Sequence, residues 1–155
     1  MKLKTLFFAL PVVLFSCNDQ PAPTPETTVD TTSKMEIMVP AQTCYLGTIA
    51  KDSVFLKTEK FPNVVIGTLE YKNFEKDSSK GELEGKMNGD TLIAHYKFSS
   101  EGTTSVSQVA FLIKGDSAVE GFGEMEEKDG VMVFKNLSDI KFDTTLILNK
   151  INCHN

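Results

Sequence analysis

"GELEGKMNGDTLIAHYKF" (Gly81–Phe98) alternates apolar or small residues with polar ones on both sides of a short break. Before the break, Gly81, Leu83, Gly85 and Met87 share one face, and Glu82, Glu84 and Lys86 share the other. After it, Leu92, Ala94, Tyr96 and Phe98 fall together, opposite Ile93, His95 and Lys97. A period of two means extended strands with one face buried and one wet. The break carries Asn88-Gly89, a strong hairpin signal because a type I′ turn needs positive φ at both central residues. The stretch reads as one antiparallel hairpin.

Working outward, the same punctuation recurs at Lys51-Asp52, Phe61-Pro62-Asn63, Asp77-Ser78-Ser79, Ser100-Glu101-Gly102, Gly115-Asp116 and Asp129-Gly130. "SVSQVAFLI" (Ser105–Ile113) puts Val109, Phe111 and Ile113 on one side. No helical pattern follows the N-terminus, and Asn136 to Asp139 reads as one helical turn or a loop. Gly67, Gly81, Gly85, Gly121 and Gly123 fall inside strand patterns, where glycine weakens a strand unless the sheet bends sharply or backbones approach closely. The expectation is all-β: an antiparallel up-and-down meander of about 8–10 strands. Closure removes exposed edges and favours a lipocalin-like barrel, with a two-sheet β-sandwich as the alternative.

The N-terminus has a different composition. Lys2 and Lys4 precede an apolar run from Leu6 to Phe15, the layout of a secretory signal and too short to span a bilayer as a helix. Pro11 interrupts the run and argues against a buried core helix. The run ends at Leu14-Phe15-Ser16-Cys17, which resembles the lipobox of bacterial lipoproteins, with Phe15 bulkier than the residue usual at that place. That resemblance implies cleavage between Ser16 and Cys17 and acylation of Cys17, several acyl chains giving stable anchoring. Residues 1–16 are then a signal peptide and 17–42 a Pro/Thr-rich tether carrying lipidated Cys17. Residues 43–155 form the β-barrel domain. Within the tether, Pro21, Pro23 and Pro25 favour an extended polyproline spacer. No Asp follows Cys17 directly and no dense acidic cluster follows it, which points to the cell envelope and, by the resemblance, to the outer membrane facing the periplasm.

With Cys17 acylated, Cys44 and Cys153 remain, at the start of the first strand and just after the last. Two leftover cysteines in an oxidising compartment read as a disulfide, and in a closed barrel the first and last strands are neighbours.

Chemistry is thinly signalled. The two histidines, His95 and His154, lie far apart without CxxC or HxxxH spacing, so no metal site is expected. "EMEEKDG" (Glu124–Gly130) lacks EF-hand spacing. No G-x-S-x-G occurs, and Ser99, Ser100 and Ser105 have no identifiable base. Paired carboxylates such as Glu82/Glu84 and Glu124/Glu126 lie on strand faces interspersed with lysine. There is no arginine, and loss of Lys2 and Lys4 leaves 14 lysines against 21 acidic residues, about −7, which argues against nucleic acid. No cofactor is expected.

The least generic part is "YKFSSEGTTSVSQVAF" (Tyr96–Phe111), whose aromatics lead inward toward a polar loop. With "EGFGE" (Glu120–Glu124) it would rim one mouth of the barrel, giving Tyr96, Phe98, Ser100, Glu101, Glu120 and Glu124 as candidate binding residues. "GTLEYKNFEKD", "GELEGKMNGDTL", "YKFSSEGTTS" and "VEGFGE" resemble pieces of a set of small Bacteroidota envelope lipoproteins to which no activity attaches. The leading expectation is a non-enzymatic, membrane-anchored envelope lipoprotein binding a small apolar ligand or an envelope protein partner. The alternatives are a hydrolase of glycan or cell-wall material using carboxylates near Glu101 and Glu124, and a purely structural envelope protein.

Overall fold

A computed structural model describes residues 40–100 and 102–153. The signal segment 1–16, Cys17, the tether up to residue 39, Glu101 and His154 lie outside the described residues.

Ten strands follow one another: β1 (Ala41–Ile49), β2 (Asp52–Lys60), β3 (Val65–Lys72), β4 (Ser79–Asn88) and β5 (Thr91–Ser100), then β6 (Thr103–Lys114), β7 (Ser117–Phe122), β8 (Met125–Lys128), β9 (Val131–Phe134) and β10 (Lys141–Ile151). The one helical element among the described residues is a 3-10 turn at Leu137–Asp139, capped by the Asn136 side chain on Ser138 N. β1 starts at Ala41, within the last residues that read from the sequence as tether.

Pairing runs β5-β4-β3-β2-β1-β10-β7-β6, and β5 pairs with β6 to complete the circle. The result is a closed eight-stranded antiparallel barrel, as the alternation and the glycines suggested, and not a sandwich. β8 and β9 form an added hairpin, joined to β6 by the parallel pair Ser107–Met132.

Turn chemistry accounts for most connections, with one change. Asp129 and Gly130 both have positive φ, 52° and 79°, as a type I′ turn requires. At the central hairpin the loop residues are Gly89 and Asp90, because Asn88 still pairs with Thr91. Only Gly89 has positive φ there, the II′ pattern rather than the expected I′.

The inward faces are those read from the alternation. Leu83, Leu92, Ala94, Tyr96, Val109 and Phe111 are buried together with Tyr45, Leu56, Leu69, Ala118 and Leu148. Phe111, Leu56, Leu69, Leu92 and Leu148 are fully enclosed, so side chains fill the middle of the barrel. Each such side chain contributes about 1.5–3 kcal/mol by leaving water. His95 and Lys97 are exposed on the outer face.

Glycine allows this small barrel to coil. A Cβ on Gly67 would lie 1.9 Å from the Lys57 carbonyl oxygen, and one on Gly81 would lie 2.0 Å from that of Lys97. Neighbouring backbones press where a side chain would otherwise stand. Gly121 serves another purpose. Its missing Cβ makes room outside the barrel for Ile140 and Phe142, while Gly123 receives the Phe134 ring. Phe134 is itself buried, and its backbone N–H donates to Gln108 Oε1 at 3.0 Å. The 123–140 excursion is thus packed onto the barrel's flank.

β10 carries an irregularity facing β7. Phe142 pairs with Gly121 and Ile147 with Val119, so five steps along β10 match two along β7. The bulge is closed by Asp143 Oδ1, which accepts from Thr145 N at 2.9 Å and from Thr145 Oγ1 at 2.6 Å.

Cys44 and Cys153 are joined in a disulfide with Cα atoms 5.3 Å apart, bridging β1 to the second residue beyond β10. β1 and β10 are direct neighbours, with Cys44 opposite Ile151.

Candidate functional site

The two ends of the barrel differ. Pro40, the β2–β3, β4–β5 and β6–β7 connections, and Cys153 lie at one end. The β1–β2, β3–β4 and β5–β6 connections lie at the other, with the entry into the 123–140 excursion. This second end carries the unusual side chains.

Alternation along β3 points Val65, Leu69 and Tyr71 inward, and along β7 it points Ala118 and Glu120 inward. Tyr71 OH donates to Glu120 Oε1 at 2.5 Å. β3 and β7 are four strands apart in either direction round the circle, so this bond crosses the barrel between opposite walls. Tyr96 meets Tyr71 edge to face at 6.0 Å between ring centroids, and stacks on Phe98 at 4.7 Å. Tyr96 OH donates to Ser79 Oγ at 3.1 Å. A carboxylate and three aromatic rings therefore converge at one depth of the lumen.

Burial dominates the electrostatics. Loss of hydration pushes the Glu120 carboxyl above the ordinary glutamate range, and the Tyr71 hydrogen bond pulls partly back. The Tyr71 hydroxyl is pushed far above the tyrosine range by burial first and then by Glu120. Tyr96 moves the same way through burial, with the Ser79 bond opposing. No ion pair among the described residues involves Glu120; its partner is a neutral hydroxyl.

Beyond this floor, residues in the inward phase become exposed. Ile49 continues the inward phase of Tyr45 and Gly47, and Phe122 that of Ala118 and Glu120, yet they are 42% and 55% exposed. The β3–β4 loop is held against the β1–β2 turn. Phe74 N donates to Asp52 Oδ1 at 2.7 Å, and Lys51 Nζ sits 3.6 Å from the Phe74 ring centroid.

Of the residues read as a mouth, the structure gathers Tyr96, Phe98 and Glu120, with Ser100 half-buried at the end of β5. Glu124 is elsewhere. It leads into β8 on the flank and pairs with Lys135 Nζ at 3.1 Å. "EGFGE" leaves the barrel wall after Phe122, which is why its two ends separate. Glu101 lies outside the described residues. Tyr71 and Ser79 were missed, although the alternation Val65, Gly67, Leu69, Tyr71 carried the signal for the first.

A concavity lies on the outer wall. It has a volume of about 660 Å³ and is lined by Lys57, Glu82, Glu84, His95 and Lys97 with Ile66 and Val131. Glu82 and Glu84 face it among lysines, and it is separate from the lumen. Among the described residues no group of three or more His, Cys, Asp or Glu side chains is placed to hold a metal.

No family model matches the chain, and no curated protein or solved structure proves similar to it.

Proposed function

We propose that this chain is a lipid-anchored envelope lipoprotein whose barrel binds a small ligand at the mouth opposite the entry of its N-terminal segment. The observation carrying the binding part is the Glu120 carboxylate set among Tyr71, Tyr96 and Phe98 beneath an exposed apolar rim. A few polar groups in an apolar concavity are what small-molecule sites share. The filled middle of the barrel confines a ligand to this mouth. The Cys17 lipid would hold the barrel at a membrane, reached through the Pro-rich tether, and the disulfide suits an oxidising compartment.

Each part has its test. Cys17→Ala is expected to abolish incorporation of labelled palmitate and to release the chain from the membrane fraction or leave it unprocessed; unchanged labelling and fractionation would remove the anchor. For the mouth, the full chain in lipid nanodiscs is labelled at its tyrosine rings and titrated with 1-butanol. Saturable shifts at Tyr71 and Tyr96 with Tyr45 unmoved support binding. No shift, or equal shifts at all three rings, would overturn it.

A further inference from the structure

We infer that the ligand of this mouth carries a positively charged nitrogen, an alkylammonium-type head that pairs with Glu120 and rests on the aromatic rings; the inference rests on the mouth being a binding site. A carboxylate withdrawn from water is costly unless a cation or several hydrogen bonds compensate it. Among the described residues Glu120 has one such bond, from a neutral hydroxyl to Oε1. Every buried side-chain oxygen and nitrogen among the described residues has a hydrogen-bond partner. Among the described residues Oε2 has none of its own, so it keeps accessible surface rather than being sealed within the wall.

The neighbouring groups do not supply the missing charge. The lysines that form ion pairs among the described residues (Lys57, Lys72, Lys80, Lys128, Lys135 and Lys150) are engaged with Glu59, Glu70, Glu126, Glu124 or Asp116. Within the lumen, the groups acting on Glu120 and its partners are the two neutral phenols and the Ser79 hydroxyl, while Glu70 stands on the outer face of β3, paired with Lys72 and Lys80. Lys51 at this end sits on the Phe74 ring, and among the described residues no lysine pairs with Glu120.

The rings make the same choice of ligand. Tyr96 and Phe98 are stacked nearly parallel, 15° apart, beside the edge-on Tyr71. Aromatic faces attract a cation and repel an anion, and the attraction grows as water is excluded. An anionic head would meet both Glu120 and these faces unfavourably. A neutral head would leave the carboxylate uncompensated. The apolar rim at Ile49 and Phe122 then suits a short hydrocarbon tail behind the charged nitrogen.

The test compares three probes of one tail length on the tyrosine-labelled full chain in nanodiscs: butylammonium, 1-butanol and butyrate. Butylammonium is expected to shift Tyr71 and Tyr96 saturably, with an affinity at least tenfold above 1-butanol, and butyrate should not bind. Glu120→Gln should bring butylammonium down to the level of 1-butanol. Tyr71→Phe, which keeps the carboxylate and frees Oε1, should retain the preference for the ammonium. Equal binding of butylammonium and 1-butanol, or a preference that survives Glu120→Gln, would overturn the cation while leaving the mouth as a binding site. Absence of binding by all three would overturn both.

Discussion

At the residue scale, Glu120 is the side chain that a stable barrel would not choose for itself. Its folded carboxyl holds a proton at pH values where the unfolded chain has lost it. Its contribution to stability therefore falls as pH rises from the ordinary glutamate value toward the raised one, and stays low above that. Glu120→Gln keeps an oxygen that can accept from Tyr71 but removes the charge. It should raise the melting temperature at pH 7 and change it little near pH 4. Thermal melts of both proteins at the two pH values check this; an equal gain at both would remove the buried charge as the cause. Tyr96 and Phe98 were legible as inward from alternation alone. The convergence of Tyr71 on Glu120 was not, because 49 residues separate them and only closure of the barrel sets β3 opposite β7.

At the element scale, β3 and β4 carry the tightest constraint. Gly81 faces inward where the Lys97 carbonyl of β5 comes within 2.0 Å of the position a Cβ would take. The obstacle is backbone and cannot swing aside. Gly81→Val should destabilise by about 1–3 kcal/mol or more, seen as a lower denaturation midpoint in urea. A loss under about 0.5 kcal/mol, the scale of an ordinary surface change, would mean that the bend relaxes. These glycines read as bends in the sequence alone, since strand interiors otherwise disfavour them. The β8–β9 hairpin shows the limit of such reading. Its residues alternate like barrel strands, and nothing local in "EMEEKDGVMVF" says that they lie on the flank. Gly121 and Gly123 decided it by admitting Ile140, Phe142 and the Phe134 ring from outside. The same departure carried Glu124 away from the mouth.

At the scale of the whole molecule, closure and the disulfide are one fact seen twice. The bridge spans a sequence separation of 109 and ties β1 to the end of β10. In the chain-entropy account a loop of that size contributes about 4–5 kcal/mol. Reduction should lower the melting temperature by about 10–15 °C, yet leave the far-ultraviolet sheet signal intact at room temperature, because the main apolar cluster is formed without the two cysteines. Differential scanning calorimetry with and without reductant checks the shift, and an unchanged melting temperature would show that the bond adds nothing. The pairing was legible because the cysteines bracket the strands, and closure made those strands neighbours. A further consequence follows for the order of the chain itself. With its first and last strands side by side and already linked, the barrel has no intrinsic beginning. Joined by a short peptide at the old ends and cut at Gly89-Asp90, the same eight staves would form the same cylinder from a circularly permuted gene, with both new termini beside the Pro40 end and the mouth untouched.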